Sequence, residues 1–222
     1  MQTKSNIAAF FDFDETLIDV NTSKVGFRWL YDNKLLTNSY LLKVMIFNFL
    51  YKIKLLSEKQ MADSLMSFYK NKKLSYFEEH ADSFYQDLIK HHFAPNILAQ
   101  LEHHKKKDHI IVIVSGSIRY YLEPVAKDIG IDHLICTDLE IGDDGLLTGK
   151  PIGQICIGQY KKELTLKLVE ELNIDLKQSF AYGNDGIDIP FMELVGNPIA
   201  VEPSPKLRKV ALNKNWSILK YR

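Results

Sequence analysis

The spacing of hydrophobic positions divides the chain into two parts. Between residue 22 and about residue 100, apolar residues recur at helical spacing, and no run has the features of a strand. Serine residues at the start of the last two segments provide helix-capping groups. The pattern predicts four helices in this part, over 23–33, 38–54, 57–70 and 75–95.

The second part alternates apolar runs with helical segments. The run HIIVIVSGS at 109–117 is continuous and rich in β-branched residues, which is typical of a buried parallel strand. Asp144 and Gly145 lie between two further runs and predict a hairpin. Besides the apolar run that begins at Ile7, strands are predicted at 109–117, 133–141, 146–152, 179–184 and 198–201, and helices at 96–106, 118–129, 161–172, after Ile189 and from Pro205.

This alternation of strands and helices predicts an α/β fold with a doubly wound parallel sheet. The four-helix block lies between the first and second strands, so we expect an inserted helical cap domain over the carboxyl edge of the sheet. The predicted boundaries are an α/β core domain at 1–21 and 97–222 and a helical cap domain at 22–96.

Composition and charge limit the partners of the protein. Apolar residues make up 46% of the 222 residues, and 28 basic residues balance 28 acidic ones. Because the chain has no overall basic field, no nucleic-acid partner is predicted. Cys136 and Cys156 form no disulfide framework, and the N-terminus lacks the profile of a signal peptide. We therefore expect a cytoplasmic protein in a reducing environment.

Two features outside the predicted strands have ordinary interpretations. The segment YLLKVMIFNFLYKIKLL at 40–56 is too short and too often interrupted by lysine to span a bilayer. We expect a helix buried between other helices, with an interfacial membrane helix as the minor alternative. Adjacent histidines point to different sides of a helix, so the pairs at 91–92 and 103–104 are interpreted as surface residues rather than metal ligands.

The stretch AAFFDFDETLIDV at 8–20 places Asp12 and Asp14 directly behind a buried-looking apolar run. Alternation along an extended chain points both carboxylates to the same side. Two neighbouring carboxylates repel each other, so holding them together requires a cation or a shared proton. For an isolated pair of this kind, a solvated turn with a helix cap would be the simpler interpretation.

Three other polar stretches also lie where a predicted strand ends or a helix begins. Ser115 and Gly116 immediately follow the apolar run IIVIV at 110–114 and could offer a hydroxyl and backbone N–H groups to an anion, although such pairs also form plain turns. Lys161 and Lys162 open a helix against its dipole, although a solvated lysine is the ordinary case. An oxygen-rich loop suited to Mg²⁺ contains Asn184, Asp185 and Asp188.

Together these four stretches resemble the motifs of the haloacid dehalogenase superfamily, specifically the phosphoserine-phosphatase-like phosphatases of subfamily IB. The D-x-D-x-T signature is matched by Asp12, Asp14 and Thr16, and the serine motif by Ser115. The spacing between Lys161 and Asn184 suits the family and favours Lys161 over Lys162. The resemblance implies a Rossmann-like α/β core with a helical cap.

The resemblance also implies a mechanism and a set of site residues. The implied enzyme is a Mg²⁺-dependent phosphomonoesterase that hydrolyses a small phosphorylated metabolite through an aspartyl-phosphate intermediate. The catalytic residues are Asp12, Asp14 and Lys161; the phosphate-binding residues are Thr16, Ser115, Gly116 and Lys161; and the metal-binding residues are Asp12, Asp14, Asn184, Asp185 and Asp188.

Two departures from the family pattern bear on function. Asn184 occupies the first acidic position of the last motif and Asp185 follows it, so either side chain could ligate the metal. Asn21 stands where phosphoserine phosphatases carry a substrate-reading glutamate. Two alternatives stay open: a phosphotransferase that uses the same site, and, because of Asn184 and the apolar segment at 40–56, a catalytically weak phosphate-binding or membrane-associated protein. Arg28 and Arg119 are candidates for a second anion, although a surface ion pair is the simpler role for both.

Overall fold

The computed structural model describes residues 6–222 and contains two sheets. The strands are β1 (Ala8–Phe11), β2 (Ile110–Ile118), β3 (His133–Thr137), β4 (Leu139–Ile141), β5 (Leu147–Pro151), β6 (Phe180–Gly183), β7 (Asn197–Val201) and β8 (Ser217–Leu219). The main sheet has the order β3-β2-β1-β6-β7-β8, and all its neighbouring strands are parallel. The predicted parallel α/β sheet is confirmed. Strands β4 and β5 form the predicted antiparallel hairpin.

Helices cover both faces of the main sheet. They are α1 (Thr22–Asp32), α2 (Asn38–Lys52), α3 (Glu58–Met66), α4 (Leu74–Asp87), α5 (Pro95–Lys105), α6 (Arg119–Ile129), α7 (Gly158–Glu171), α8 (Ile189–Met192) and α9 (Pro205–Asn213). The first four lie between β1 and β2, as the sequence predicts, while the exact domain boundaries at 22–96 stay a prediction.

Strand β1 is central in the main sheet. Its register fixes the position of the carboxyl edge, where the polar motifs lie and which we call the polar edge. All four of its residues are fully buried, and alternate side chains enter the hydrophobic clusters on opposite faces of the sheet. Phe11 pairs with Ile113 of β2 on one side and with Tyr182 of β6 on the other. The three parallel strands therefore end at the same edge, and the residues that follow them are neighbours.

The predicted helix at 75–95 is wrong at its C-terminal end. Helix α4 ends at Asp87, and a short 3₁₀ turn leads to a return segment in which Phe93 bridges Ile18. Pro95 begins α5, because its fixed φ and missing N–H suit the first turn of a helix. The helical insertion returns beside its starting point, a long-range contact that local spacing does not encode.

Two further strand boundaries differ from the prediction. The run at 133–141 divides into β3 and β4 at Asp138, whose carboxylate forms a two-point ion pair with Arg119. The edge strand β8 was not predicted, because its three residues follow a helix with no alternating pattern long enough to identify a strand.

Helix α2 corresponds to most of the apolar segment at 40–56, and the expectation that it is buried between other helices is wrong. None of its residues is buried. Tyr40 packs against Phe27 and Phe68, while Phe49 remains 61% exposed. An apolar helix with scattered lysines does not reveal which side lacks neighbours. Within residues 6–222, no helix combines the length and apolar character that crossing a bilayer requires.

The interpretation of the histidine pairs as surface residues is wrong for His104. This residue is 2% exposed; its Nε2 lies 2.9 Å from the Tyr182 hydroxyl, and its Nδ1 lies 2.9 Å from Nδ1 of His109. Burial, with repulsion from His109, lowers the pKa of His104 to about 4. The neutral imidazole is therefore part of the folded core.

This burial predicts loss of stability in acid. Between the folded pKa of about 4 and the ordinary value of 6.5, the unfolded chain binds more protons at His104. The free energy of unfolding should therefore rise with pH in this window, with a slope of at most about 1.4 kcal/mol per pH unit from this group. Urea unfolding at several pH values should give a smaller slope for His104→Gln. The exposed neighbour provides the control, and His103→Gln should keep the parental slope.

Candidate active site

Asp12 lies at the carboxyl end of β1, in the centre of the polar edge. Its backbone N–H donates to the carbonyl oxygen of Tyr182 over 2.9 Å, which extends the pairing of β1 with β6. The hydroxyl of Thr16 donates to Oδ2 of Asp12 over 3.0 Å, because the chain turns between Phe13 and Leu17 and brings the two residues together. The D-x-D-x-T motif thus folds into a local structure that orients the Asp12 carboxylate.

Lys161 forms a buried ion triad with two carboxylates. Its Nζ lies 2.5 Å from Oδ1 of Asp12 and 2.7 Å from Oδ1 of Asp188, and its side chain is 2% exposed. The lysine lies in the first turn of α7, where the helix N-terminus faces the polar edge. Lys162 makes no side-chain hydrogen bond or ion pair within residues 6–222. The structure therefore brings Lys161, and not its neighbour, to Asp12.

The charges of this triad are incompletely balanced. Burial raises the pKa of Asp12 to about 7, with a further contribution from Asp188, although the Lys161 ammonium acts in the opposite direction. Burial by itself would lower the pKa of Lys161, but the two carboxylates outweigh it and hold that pKa above its ordinary value. One lysine thus serves two buried carboxylates, which leaves the site short of positive charge.

Asp14 connects the first motif to the helical insertion and to β2. The backbone N–H of Thr22, the first residue of α1, donates to its Oδ1, and the Ser117 hydroxyl donates to its Oδ2 over 2.8 Å. The hydroxyls of Ser117 and Thr22 also lie 3.2 Å apart. Asp14 is therefore held at the point where α1 meets the sheet edge.

Ser115 and Gly116 lie at the end of β2. The Ser115 hydroxyl is buried and accepts the backbone N–H of Ser117 over 3.0 Å, which fixes the course of the chain. A Cβ at position 116 would lie 3.0 Å from Cγ2 of Ile157, so glycine allows a close approach between this loop and the segment before α7. The two residues line the same cavity as Asp12 and Lys161.

The oxygen-rich loop after β6, which contains Asn184 and Asp185, is held in place by Asp188. Its Oδ2 accepts the backbone N–H groups of Asn184 and Asp185 over 3.3 and 3.0 Å, and its Oδ1 accepts Lys161. Gly183 is required here, since a Cβ would lie 2.9 Å from Cβ of Asp188 and 2.8 Å from Sδ of Met192. Both carboxylate oxygens of Asp188 therefore have protein donors, and they set the position of the loop.

The predicted metal ligands fit a magnesium ion only as a mixed set of oxygens. Within residues 6–222, no group of three or more acidic, histidine or cysteine side chains converges as a metal site. Asp12, Asp14, Asn184 and Asp185 nevertheless line one cavity, and no hydrogen bond within residues 6–222 engages the side-chain amide of Asn184. Carboxylate, amide and carbonyl oxygens are suitable Mg²⁺ ligands. A cation would also offset the excess negative charge around Asp12.

The cavity at the polar edge has a volume of about 600 Å³. It includes several residues that motif reasoning missed. Most of them lie next to a motif in the sequence, and that proximity is their only signal. Tyr221 is far from every motif, but it follows β8 and its hydroxyl donates to the backbone oxygen of Glu15 over 2.6 Å. Asn21, which the sequence analysis singled out, also lines the cavity, and the residues that were missed are Glu15, Ser23, Ser117, Ile155, Ile157, Ile187, Glu202, Ser204 and Tyr221.

Neither candidate arginine lines this cavity. The Arg28 side chain is exposed and pairs with Asp32 over 2.8 Å. Arg119 pairs with Asp138. The ion pairs considered as the simpler role are therefore confirmed for both residues.

Comparison with known proteins identifies the family. The family model for haloacid dehalogenase-like hydrolases matches residues 9–193, so the chain belongs to this family. A relative from Streptomyces azureus, named inhibition of morphological differentiation protein, is 28% identical over 96% of this chain and 78% of its own length. Phosphoserine phosphatase of Saccharomyces cerevisiae is 34% identical over 48% of this chain and 34% of its own length.

A solved structure gives the same result for the fold. It is described as a phospho-aspartyl intermediate analogue of phosphoserine phosphatase, and it is 20% identical to this chain. The similarity covers 99% of this chain and 95% of that structure, with a TM-score of 0.65. The haloacid dehalogenase-like fold is confirmed, and so is the predicted class of protein, a phosphatase of this family that resembles phosphoserine phosphatases.

Proposed function

We propose that the protein is a Mg²⁺-dependent phosphomonoesterase that acts on a small phosphorylated metabolite through a phosphate ester of Asp12. The observation that carries the proposal is the buried Asp12 carboxylate, held by Lys161 and Thr16 at the mouth of a polar cavity. The description of a solved relative as a phospho-aspartyl intermediate analogue supports the same chemistry.

The proposed first step is attack by an Asp12 oxygen on phosphorus. An oxygen–phosphorus bond forms, the bond to the leaving oxygen breaks, and Asp14 gives a proton to that oxygen. In the second step Asp14 takes a proton from water, which displaces phosphate from Asp12 and restores the carboxylate. The bonds from Thr22 and Ser117 hold Asp14 beside the reacting groups.

The remaining residues would bind the phosphoryl oxygens and balance their charge. Lys161 reaches Asp12 directly, and Ser115 and Gly116 offer a hydroxyl and backbone N–H groups on the same cavity wall. We assign Thr16 to orienting Asp12 and Asp188 to positioning the loop with its candidate ligands Asn184 and Asp185. When bound, Mg²⁺ would reduce repulsion between the nucleophile and the phosphate.

We also propose that the protein works in the cytoplasm. Cys136 and Cys156 are both free and buried in the folded chain. Burial raises the pKa of both thiols to about 12, so they remain protonated and unreactive at neutral pH. Two unpaired thiols are typical of a protein in a reducing compartment.

The test is release of inorganic phosphate from an aryl phosphate by the purified protein. We expect release with Mg²⁺, loss of release with a chelator, and recovery when Mg²⁺ returns in excess. Phosphate equal to the ester consumed, even with glycerol present, identifies a hydrolase, whereas a deficit made up by glycerol phosphate identifies the phosphotransferase alternative. No release from any ester would contradict the proposal and favour a phosphate-binding protein.

A further inference from the structure

A second cavity, of about 250 Å³, adjoins the catalytic one. We call it the apolar cavity. It lies between α1, the start of α2, α3 and the end of β2, and four residues line both cavities: Ser23, Gly116, Ser117 and Ile155. Any substrate whose phosphate lies against Asp12 and Ser115 would therefore have the apolar cavity next to its leaving group.

The lining of the apolar cavity has no charged residue within residues 6–222. Its polar groups are mainly hydroxyls, several of them near the shared boundary, such as Thr22 and Ser117. An ammonium or carboxylate in this cavity would lose its hydration without gaining an ionic partner, which is costly. The main apolar contributors are Phe27, Leu30, Leu36, Leu65, Phe68 and Tyr121.

The position of Asp14 fixes where the leaving oxygen must lie. Asp14 accepts hydrogen bonds from Thr22 and Ser117, and both donors also line the apolar cavity. The oxygen that Asp14 protonates is thus at the entrance to this cavity. The carbon attached to that oxygen would point inward.

We propose that the substrate is a phosphate monoester of an apolar alcohol, with an alkyl chain or aryl ring in the apolar cavity. This assignment rests on the proposed phosphatase function and specifies its substrate class. An apolar cavity of about 150 Å³ accommodates benzene, so 250 Å³ holds a larger ring or a chain of several carbons. Esters of charged alcohols, such as phosphoserine, are poor substrates.

The experiment compares kcat/KM for ethyl, butyl and hexyl phosphate with that for phosphoserine. Each added methylene should raise kcat/KM by about threefold to fourfold until the cavity is filled. Hexyl phosphate should exceed phosphoserine by about 10²-fold or more. A flat series, or a preference for phosphoserine, would overturn the assignment while leaving the phosphatase function intact.

A matched pair of variants localises the effect. Ala62 lines the apolar cavity on α3, whereas Ala99 is exposed on α5. Ala62→Leu should reduce the hexyl-to-ethyl ratio of kcat/KM by about tenfold, since the new side chain occupies the space of several methylenes. Ala99→Leu should keep the parental ratio. An unchanged ratio in Ala62→Leu would place the chain elsewhere and contradict the assignment.

Binding of the product alcohol separates this inference from the phosphatase proposal. Calorimetry should detect 1-hexanol binding to the parent and weaker binding to Ala62→Leu, irrespective of turnover. If no ester is hydrolysed but hexanol binds in this manner, the phosphatase proposal fails and the apolar ligand site stands. If esters are hydrolysed and hexanol does not compete with them, the apolar leaving-group assignment fails alone.

A different observation carries a second inference, which does not depend on catalysis. Helix α2 and the residues after it expose an apolar face. Within α2, Leu42, Met45, Ile46 and Phe49 recur three or four residues apart, which places them on one side of the helix, and Ile53 and Leu55 follow its C-terminus. We call this surface the α2 face, and its exposed side chains are Leu42 at 59%, Met45 at 69%, Ile46 at 48%, Phe49 at 61%, Ile53 at 48% and Leu55 at 68%.

The segment that carries the α2 face has charged residues of one sign only. Residues 33–57 contain Lys34, Lys43, Lys52 and Lys54 and no acidic residue, although the whole chain has a net charge of zero. Lys52 and Lys54 are exposed beside Ile53 and Leu55. An apolar face flanked by lysine complements the surface of an anionic bilayer.

We propose that the α2 face binds the surface of an anionic membrane, with α2 lying in the interface and not crossing the bilayer. The charge asymmetry favours a lipid surface over a second copy of this chain, because two such faces would bring their lysines together. Apolar side chains would enter the boundary of the acyl chains, while the lysines remain with the phosphate headgroups.

The experiment is co-sedimentation with vesicles of phosphatidylglycerol and phosphatidylcholine, with light scattering of the free protein. Binding to anionic vesicles should weaken by about tenfold in Phe49→Ser and decline with added salt. Leu212→Ser, at an exposed leucine of α9, should bind as the parent does. Absence of binding to the vesicles, or an equal loss of binding in both variants, would overturn the proposal. A dimer seen by light scattering that Phe49→Ser dissociates would also overturn it and would show that a second copy of the chain covers the α2 face.

Discussion

Replacement of Asp12 by asparagine should reduce kcat by at least about 10³-fold, because removal of an attacking group commonly has an effect of this size or larger. The side chain keeps its shape and one oxygen, which can accept from Thr16 or from Lys161 but no longer offers a separate acceptor to each. The amide is a poor nucleophile, and it cannot form a stable phosphate ester. Steady-state release of phosphate from an aryl ester, at saturating substrate, measures this effect.

A nearby aspartate provides the control for the loss of one negative charge. Asp19 follows the same motif but pairs with His92 and Arg222 and lies outside the catalytic cavity. Asp19→Asn should therefore remain within a few-fold of the parent. Acid quenching during turnover of a ³²P-labelled ester should leave label on the parent and none on Asp12→Asn. Equal rates for the Asp12 variant and the parent would exclude the covalent mechanism.

The second large effect is expected at Lys161. Lys161→Met leaves Asp12 and Asp188 buried without the ammonium that contacts both of them. Breaking a buried ion pair by removing one partner typically costs about 3–5 kcal/mol of stability. Loss of one group that stabilises charge in the transition state typically lowers kcat by about 10²–10³-fold. Both losses should occur together, because the same Nζ supplies both contacts.

Lys162→Met is the matched control, because it removes the same charge one position along α7. Surface substitutions usually change stability by less than about 0.5 kcal/mol, and we expect that result here. Urea unfolding and phosphate release should be measured for both variants. If Lys162→Met were the impaired variant, or if Lys161→Met unfolded at the parental urea concentration, the buried triad would not have the proposed role.

Part of the catalytic arrangement is encoded locally. Asp12, Asp14 and Thr16 belong to one short motif that follows a buried strand, and the turn that joins them forms within five residues. The motif therefore predicts both the strand end and the side of the sheet on which the carboxylates lie. The choice of Lys161 over Lys162 came from spacing to Asn184, and the structure places Lys161 beside Asp12.

Other parts of the site depend on contacts between distant segments. Ser117 reaches Asp14 across more than a hundred residues of sequence, and Tyr221 reaches Glu15 from the end of the chain. Neither position belongs to a motif that indicates chemistry. The burial of His104 and the exposure of α2 were missed for a similar reason, since both depend on which surfaces other elements cover.

The sequence by itself determined the class of fold, the edge of the sheet that carries the chemistry and the chemical types of the groups there. These properties follow from strand and helix periodicity and from short motifs, which act over a few residues. Only the tertiary structure decided that an uncharged cavity adjoins Asp14 and that the apolar side of α2 is uncovered. Hydrophobic residues look alike in sequence whether they fill a core, line a cavity or face solvent, because burial is decided by the packing of segments far apart in the chain.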